Sequence, residues 1–534
     1  MGKAELSRRN LLKSAVVGAT ASVGGFHAAE SRGTESLTSG SVWQRPPHQS
    51  GNGLNLIVIV SDTFRRDNLA IYGAKWLESL ETPNLDRFAQ HSAIFEDFYG
   101  ELLPTIPLRR TLYTGRRGIP AFYYPQHEPV QLPGWHPLYH EDVTLAETLT
   151  EAGYVTSLIG DLYHEFKPGR DFQRGFQSYQ YIRGQEFDPF GTSPHGLLDV
   201  SDIVPPDYLK ASQGLHNFLS QYKANSNLWR QQGESLSQIV SDTANRWLRD
   251  NFQQRPFYLQ VEFFDPHEPW DPPQRFLEKY LPNTTGPRFI EPPYDTVSLP
   301  DSIKQRFRAN YAGDVNCVDT WIGNLLDLIG ELGLFENSVV VFLADHGAML
   351  GEHGQFLKGP DKLRGQVTHV PLLVRTPGNQ HAGKRVQGFI QPPDVVPTLL
   401  PLLNLQPPSR ATGSNLWGLV TGETKGDRDY VVQTYGWVGA VRDKDWNYTE
   451  IWKPEARQDQ YHVSPAAPLA PYKPQLYNLQ DDPKELIDVA DKYPDVARRY
   501  SAKLKEYVAS GEGKTGGSFN AKASLDLKEG LYAK

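Results

Sequence analysis

Three runs of mainly apolar residues constrain this chain more than any other feature. They are Asn55–Val60, Phe257–Phe264 and Val339–Ala344. Their apolar and β-branched sequence is typical of strands that are buried on both faces of a parallel sheet. In open sheets of this kind, ligands bind beyond the carboxyl ends of the strands. We therefore expect the residues that follow these three runs to form the functional site.

Polar residues that can bind a ligand or a metal ion follow each of the three runs. Asp62 comes after the first run, His267 after the second, and Asp345 with His346 directly after the third. Adjacent aspartate and histidine side chains can bind one cation, because a carboxylate is a hard ligand and an imidazole a borderline one. Taken singly, Asp62 is equally typical of a helix N-cap, and His267, which lies between two prolines, of an ordinary turn.

A further candidate is the segment Leu103–Arg116, which contains the pattern Thr-x-Pro-x-Arg. It predicts the Thr105 hydroxyl on a turn, followed by a short helix that begins near Pro107. The N-terminus of a helix attracts anions, and the Arg109 guanidinium suits the planar oxygens of a carboxylate, phosphate or sulfate. Taken alone, the pattern is also that of an ordinary helix initiated by proline.

The remaining sequence alternates between strand and helix patterns as far as about residue 406. Glu141–Gly153 is predicted as an amphipathic helix with Val143 on its apolar side, and Ile303–Leu332 as a long helix. From residue 407 to 510 short antiparallel strands precede a helix over Pro494–Val508. The predicted fold class is α/β: a large mixed, mostly parallel sheet between helices over residues 54–406, with a smaller C-terminal α+β subdomain and a partly ordered tail, 511–534.

The net charge of the chain bears on its partners, and the N-terminal segment bears on its cellular location. The formal net charge of −8 gives no reason to expect a nucleic-acid partner. Arg8 and Arg9 precede a weakly apolar run and small residues at Ala28 and Ala29, an order that resembles a twin-arginine signal. This predicts a signal over residues 1–30, a linker over 31–53, recognition by the twin-arginine export machinery and a periplasmic or extracellular enzyme. The run is too short for a permanent membrane span.

In combination these segments resemble the sulfatase family, within the alkaline phosphatase superfamily, over nearly the whole chain after the signal. The segments that carry the resemblance occur in the family order: Asn55–Gly73, Thr105–Arg116, Asp345–Gly354, Val370–Arg375 and Leu476–Pro483. The first and third resemble the two metal loops of the family, and the second its nucleophile signature. The resemblance implies an alkaline phosphatase-like arrangement of the sheet and helices.

The resemblance also implies a role for each site residue. One divalent cation would be bound by Asp62, Asp345, His346 and the Thr105 hydroxyl. Calcium is the ion that the family favours, while manganese, magnesium and zinc remain compatible with these ligands. The implied catalytic residues are Thr105, Arg109, His267 and Lys358. The implied substrate-binding residues are Arg109, His267 and Lys358, with His164 as a further candidate.

The sequence departs from the family pattern at three places. Sulfatases have a cysteine or serine that is oxidised to formylglycine where this chain has Thr105. The methyl group of threonine would make the oxidation product a ketone, so no formylglycine is expected. The first metal loop has Asp62-Thr63 in place of paired aspartates, and Asp161 with His164 replaces a lysine found in many sulfatases.

The expected activity is metal-dependent hydrolysis of an ester of a small molecule or a glycan, with Thr105 as the nucleophile. The ester is sulfuric by family. The alternatives within the superfamily are a phosphomonoesterase, a phosphodiesterase and a phosphonate monoester hydrolase. An alternative of another class is an inactive protein that binds sulfated or phosphorylated glycans.

Overall fold

The computed structural model describes residues 51–121, 132–193, 198–205, 208, 213–293, 299–426, 428–453 and 472–518. The predicted export signal, nearly all of the linker and most of the tail lie outside these ranges. Export, location and the proposed domain boundaries therefore stay predictions. Within the described ranges, no helix combines the length and the apolar character that crossing a membrane requires.

The strands fall into three sheets. They are β1 (Asn55–Ser61), β2 (Ala93–Phe98), β3 (Leu102–Leu103), β4 (Val155–Gly160), β5 (Ser178–Tyr181), β6 (Phe257–Phe263), β7 (Ser338–Ala344), β8 (Met349–Leu350), β9 (Phe356–Leu357), β10 (Leu372–Arg375), β11 (Arg385–Ile390), β12 (Val431–Tyr435), β13 (Val438–Arg442), β14 (Trp446–Ile451) and β15 (Gln475–Asn478).

The largest sheet has eight strands in the order β11-β2-β10-β7-β1-β6-β4-β5. Strand β10 runs antiparallel to both of its neighbours, and the other pairs in this sheet are parallel. Every residue of β1, β6 and β7 is buried, so both faces of the central strands are covered. The predicted mixed, mostly parallel α/β sheet is confirmed.

The helices are α1 (Pro83–Gln90), α2 (Thr105–Thr114), α3 (Leu145–Glu151), α4 (Tyr163–Phe166), α5 (Gln213–Trp229), α6 (Leu236–Asn251), α7 (Gln274–Leu277), α8 (Asp301–Glu331), α9 (Gly365–Thr368), α10 (Val395–Leu402), α11 (Trp417–Thr421) and α12 (Pro494–Gly511). Single 3₁₀ turns add Arg66–Asn68, Ala70–Tyr72, Leu334–Glu336, Glu352–Gly354, Pro360–Lys362, Pro377–Asn379 and Pro392–Asp394. The long helix α8 confirms the prediction over Ile303–Leu332.

Two helix predictions were wrong at their first residue. Helix α3 begins at Leu145 because Thr144 caps it, with Glu147 completing a capping box, so Val143 lies outside the helix and is 37% exposed. Helix α2 begins at Thr105, ahead of the predicted start near Pro107. Pro107 still lies in the first turn, where the missing backbone N–H has no intrahelical partner to lose.

The C-terminal part forms a second sheet of five strands in the order β15-β14-β13-β12-β3. Helix α12 packs on this sheet through Tyr500 and Leu504, which share an apolar cluster with Val441 and Tyr448. The edge strand β3 comes from a distant part of the chain and pairs in parallel with β12, Leu103 beside Tyr435. The second sheet is therefore connected to the segment that leads into α2.

Candidate active site

The central feature of the site is a group of three buried side chains at the ends of two adjacent strands. Strands β1 and β7 are parallel and in register, Ser61 beside Ala344, so Asp62 and Asp345 emerge next to each other. His346 follows directly. The three side chains are fully buried, and one ligand atom from each lies within 4.8 Å of the others. We call Asp62, Asp345 and His346 the metal-side group.

Thr63 and backbone N–H groups fix the two carboxylates of this group. The Thr63 hydroxyl donates to Asp62 Oδ1 at 2.7 Å. Asp345 Oδ1 accepts from the backbone N–H of Thr63 at 3.0 Å and from its neighbour His346 at 2.6 Å. The Oδ2 atoms of both aspartates are buried and accept no hydrogen bond within the described residues. Thr63 has φ 58°, an uncommon conformation for a β-branched residue, which is found most often at functional sites.

The surroundings shift the pKa values of this group in different directions. Burial raises the pKa of Asp62 well above its ordinary value, and the nearby charge of Asp345 adds to this effect. Burial acts on Asp345 in the same sense, but the adjacent His346 and Arg109 hold its pKa below the ordinary value. Burial lowers the pKa of His346 to about 3, so its imidazole is neutral at physiological pH. A neutral imidazole is the form that binds metal ions.

Thr105 lies at the N-terminus of α2 and is nearly fully buried. Its Oγ1 is 3.2 Å from Nε2 of His346, while the other ring nitrogen of that histidine, Nδ1, is 3.2 Å from the carbonyl oxygen of Gly347. A proton on Nδ1 would donate to this carbonyl and leave the Nε2 lone pair directed at the Thr105 hydroxyl. The structure therefore brings Thr105 into direct contact with the metal-side group.

Arg109, one turn further along α2, is fully buried among carboxylates. Its Nη1 forms an ion pair with Asp345 Oδ2 at 3.0 Å, and its Nε and Nη2 contact Glu262 Oε2 at 3.0 and 2.9 Å. Asp62 and Glu165 lie somewhat further away, at 3.6 and 3.8 Å. Although burial opposes it, Glu262 and the other carboxylates raise the pKa of Arg109 well above its ordinary value. Arg109 is thus held against the aspartates of the site.

Lys358 and His267 form the second half of the site, which we call the loop side. Lys358 Nζ donates to the two carboxylate oxygens of Glu268 at 2.8 and 3.0 Å, and lies 2.8 Å from Nε2 of His267. His267 Nδ1 is 2.6 Å from the Glu268 carbonyl oxygen. Burial lowers the pKa of His267, so the ring is neutral, with Nδ1–H as donor and Nε2 accepting from Lys358.

His164 also lies in this region and is paired with a carboxylate. Its Nε2 is 2.7 Å from Glu186 Oε2, and its ring packs edge-on against Trp135. Burial would raise the pKa of Glu186, but His164 lowers it below the ordinary value. Glu186 has φ 40°, which is again uncommon outside glycine. The structure therefore places the His164 ring beside the Glu186 carboxylate, on the loop side of the site.

Comparison with known proteins agrees with this geometry. The sulfatase family model matches residues 54–405, the segment that holds both halves of the site. The chain belongs to the sulfatase family. Its members are hydrolases of ester bonds, and the predicted family and enzyme class are confirmed. A second model, described as N-sulphoglucosamine sulphohydrolase, C-terminal, matches residues 351–510.

Individual relatives of this sulfatase-family chain are distant but extend over most of its length. An arylsulfatase of Clostridium perfringens is 26% identical over 469 residues, which covers 82% of this chain and 90% of the relative. The multifunctional alkaline phosphatase superfamily protein PehA of Trinickia caryophylli is 23% identical and covers 85% of this chain and 95% of the relative. The crystal structure of a phosphonate monoester hydrolase of Agrobacterium radiobacter has the same fold, with a TM-score of 0.61, 23% identity, and coverage of 86% and 96%.

The metal-side group of this sulfatase-family chain fits a divalent cation. Two buried carboxylate oxygens, Oδ2 of Asp62 and of Asp345, accept no hydrogen bond in the described part of the chain, and His346 adds a neutral nitrogen. Arg109 Nη1 offsets the charge of Asp345 Oδ2 at 3.0 Å, whereas Asp62 Oδ2 has the same guanidinium only at 3.6 Å. Burying a carboxylate oxygen without a close partner is costly, and a cation would remove that cost. The donor set of two oxygens and one nitrogen does not select one ion, so calcium, magnesium, manganese and zinc all fit.

Sequence reasoning missed the carboxylates that surround the predicted residues. These are Glu165, Glu186, Glu262, Glu268 and Glu291, all buried. A signal was present for one of them, because Gln260 and Glu262 interrupt the otherwise apolar strand β6, and both are bonded to Tyr113. The others lie in loops or in the short helix α4, where no periodicity marks a buried position.

Proposed function

We propose that this protein is a metal-assisted ester hydrolase that attacks its substrate with the Thr105 hydroxyl. The observation that supports this most directly is the position of Thr105 Oγ1, which lies 3.2 Å from His346 Nε2 at the N-terminus of α2. A nucleophilic hydroxyl needs a group that lowers its pKa and a positive environment for the transferred anion. The metal-side group and the helix N-terminus provide both.

Asp62, Asp345, His346 and the Thr105 hydroxyl would hold the cation. When bound, a divalent cation lowers the pKa of a coordinated hydroxyl and offsets charge that develops on the transferred group, effects worth several kcal/mol. Family membership favours calcium. The position of Arg109 suggests that it keeps Asp345 ionised and oriented, because its guanidinium bridges Asp345 and Glu262.

We assign Lys358 and His267 to the substrate's anionic oxygens and its leaving group. Lys358 is a buried cation with its ammonium hydrogens directed at Glu268 and His267, so a substrate oxygen would share these donors. Fixed donors in a buried site stabilise developing charge at little cost in reorganisation. Lys358 would give one proton to the leaving oxygen, and His267 Nε2, which accepts a hydrogen bond from Lys358 Nζ, would keep the ammonium group in position.

Thr105 favours phosphoric over sulfuric esters. In the first step the Thr105 hydroxyl would lose its proton to water and its oxygen would bond to phosphorus, while the bond from phosphorus to the leaving alcohol breaks and that alcohol takes a proton from Lys358. Water would then attack phosphorus and break the bond to the Thr105 oxygen, which releases phosphate and restores the hydroxyl. A sulfate on threonine lacks the second hydroxyl through which a formylglycine hydrate expels sulfate. Relatives named as an arylsulfatase and as a phosphonate monoester hydrolase support both ester classes as candidates.

A second candidate is an inactive protein that binds sulfated or phosphorylated glycans. The complete metal-side group, together with Thr105, Arg109 and Lys358, argues against it, because a binding module has no need of a full set of metal ligands. Turnover after metal removal and add-back separates the two candidates.

The proposal is tested with 4-nitrophenyl phosphate, 4-nitrophenyl sulfate, a bis-aryl phosphodiester and an aryl phosphonate. Thr105→Ala should lose at least about a hundredfold in turnover, because a central catalytic group is removed. Thr105→Ser should keep much of the activity. The matched control is Thr111→Ala, which removes a hydroxyl from the same helix where it only bonds the Leu108 carbonyl.

Intact mass spectrometry should show Thr105 unoxidised, and the phosphate ester should be hydrolysed faster than the matched sulfate. Near wild-type turnover by Thr105→Ala would show that Thr105 is a helix residue only. Preference for the sulfate ester with an intact Thr105 would assign the enzyme to sulfuric esters. No turnover of any ester after metal add-back would favour the binding protein.

A further inference from the structure

Glu291 is a buried carboxylate with no counter-ion. It is 7% exposed, and its Oε2 atom accepts no hydrogen bond from the described residues. The described side chains also offer it no ion pair within 4 Å. Burying a carboxylate without a hydrogen-bond partner costs free energy of folding, and such groups are rare in native proteins. A group that donates a hydrogen bond to Glu291, or carries a positive charge, would remove this cost.

Glu291 lies next to the loop that carries His267 and Glu268. The backbone N–H of Trp270 donates to the carbonyl of Ile290 at 2.7 Å, which fixes the segment before Glu291 against this loop. Burial raises the pKa of Glu291 well above its ordinary value, and the charges of Glu268 and Glu186 add to the effect. Glu291 thus lies close enough to the loop side for the charges of Glu268, Glu186 and Lys358 to act on it.

The same loop begins beside the metal-side group. The backbone N–H of Asp62 donates to Phe263 O at 2.9 Å, and the Ser61 hydroxyl donates to Asp265 O at 2.7 Å. The loop that carries His267 is therefore bonded to Ser61 and Asp62 at its start and, through Trp270, to the segment before Glu291 at its end. A substrate whose ester group reaches Thr105 and whose leaving group passes Lys358 would bring that leaving group to Glu291.

The loop side has one carboxyl group more than it has basic partners among the described side chains. Lys358 is paired with Glu268 and the His164 ring lies against Glu186, while His267 is neutral. No lysine or arginine of the described residues forms an ion pair with Glu291. Lys358 is close enough for its charge to act on Glu291, but its ammonium group already donates to both carboxylate oxygens of Glu268. A neutral or anionic leaving group would leave this carboxyl unpaired, whereas a cationic one would complete an ion pair in a buried site.

We propose that Glu291 binds an ammonium group on the leaving group, and that the substrates are esters of amino alcohols or amino sugars. This inference rests on the proposed ester hydrolase function and adds the class of leaving group. A charge-assisted hydrogen bond from an ammonium to a buried carboxylate is among the stronger polar contacts in proteins. Glu291 is thus a residue that determines specificity.

The test compares the 2-aminoethyl ester and the propyl ester of the same acid, either phosphoric or sulfuric. The two alcohol groups have nearly the same size, but only the 2-aminoethyl group carries a positive charge. Wild-type enzyme should prefer the 2-aminoethyl ester in kcat/KM by about tenfold or more, the ratio expected for one buried charged hydrogen bond. Glu291→Gln, which has nearly the same shape, should reduce this ratio to near one. The control Glu278→Gln removes an exposed carboxylate directly after helix α7 and should leave the kcat/KM ratio of the two esters unchanged.

Calorimetric binding of the same two esters to wild-type protein and to Glu291→Gln tests the inference apart from turnover. Equal binding and equal kcat/KM of the two esters by wild-type enzyme would overturn the inference, whatever the folding of the variant. An unchanged ratio in a folded Glu291→Gln protein would also overturn it. Failure to hydrolyse any ester would refute the proposed hydrolase function, while a binding preference for the ammonium ester lost in Glu291→Gln would still support the role of Glu291.

Discussion

The two halves of the site are built in different ways. The metal-side group is attached to the ends of β1 and β7, in the centre of the main sheet, and backbone N–H groups orient Asp345. The loop side is held by contacts between side chains, Lys358 with Glu268 and His164 with Glu186. The first arrangement fixes the metal-side group to a rigid scaffold. The second can change residue by residue without disturbing the sheet, which suits a region that selects the substrate.

The strongest test of this difference is Asp345→Asn. The amide oxygen can still accept from the Thr63 and His346 N–H groups, but the other atom no longer offers a carboxylate to a cation or to Arg109. We expect turnover to fall by more than about a hundredfold. Metal content, measured by plasma mass spectrometry, should fall with it. Asp97→Asn, on strand β2 of the same sheet, is the control and should keep its metal. An inactive Asp345→Asn protein with full metal content would remove Asp345 from the metal ligands.

A smaller effect is expected from Glu262→Gln. This change weakens the carboxylate contact that holds Arg109 and leaves Asp62, Asp345 and His346 in place. We expect kcat to fall by about tenfold to a hundredfold, the usual cost of losing a group that orients a ligand, while metal content is kept.

Tyr113→Phe serves as the milder control, because it removes one hydrogen bond to Glu262 and one from Gln260 but leaves the Glu262 carboxylate against Arg109. Its kcat should fall by less than about tenfold. If Glu262→Gln lost its metal as completely as Asp345→Asn, Arg109 and Glu262 would belong to the metal-side group itself.

The smallest effect concerns a buried carboxylate that belongs to neither half. Asp314 in α8 is raised in pKa by burial and by the charges of Asp265 and Asp271. A raised pKa in the folded state means that folding retains a proton that the unfolded chain releases, so stability is present at low pH and is lost as pH rises above about 4. Asp314→Asn should remove this loss.

At pH 8 the Asp314→Asn protein should be more stable by about 1 kcal/mol or more, with activity unchanged. At a pH below 4 the two proteins should differ little. Thermal unfolding at both pH values gives the comparison. A lower melting temperature of Asp314→Asn at pH 8 would show that this carboxylate has a counter-ion in solution. The result also distinguishes Asp314, a carboxylate that only lowers stability, from Glu291, a carboxylate for which we propose a ligand.

Much of the metal-side group could be predicted from sequence because it follows from strand ends. Apolar β-branched runs identify buried parallel strands, and the residues after them, Asp62, Asp345 and His346, must lie at one edge of the sheet. Helix starts were harder to predict. Helix α3 begins at the Thr144 cap, and α2 already at Thr105, since local capping and the preceding β3 decide the first turn.

The loop side could be predicted only in part. The family resemblance pointed to His267 and Lys358, and the structure places them in contact, but their partner Glu268 was missed although it is adjacent in sequence. Glu186 and Glu291 come from separate segments with no periodic pattern. Their approach to the site depends on long-range packing of loops, and single-sequence patterns carry no information on that.

The pairing of β3 with β12 has a consequence for biosynthesis. Leu103, two residues before Thr105, has its strand partner at Tyr435, which leaves the ribosome long after the segment that forms α2. The growing chain can build the central strands early, yet the edge that anchors helix α2 is incomplete until the second sheet has been synthesised. A nascent or prematurely terminated chain that lacks β12 would thus have Asp62, Asp345 and His346 without a firmly positioned Thr105, and the complete site would form only after the second sheet has been synthesised.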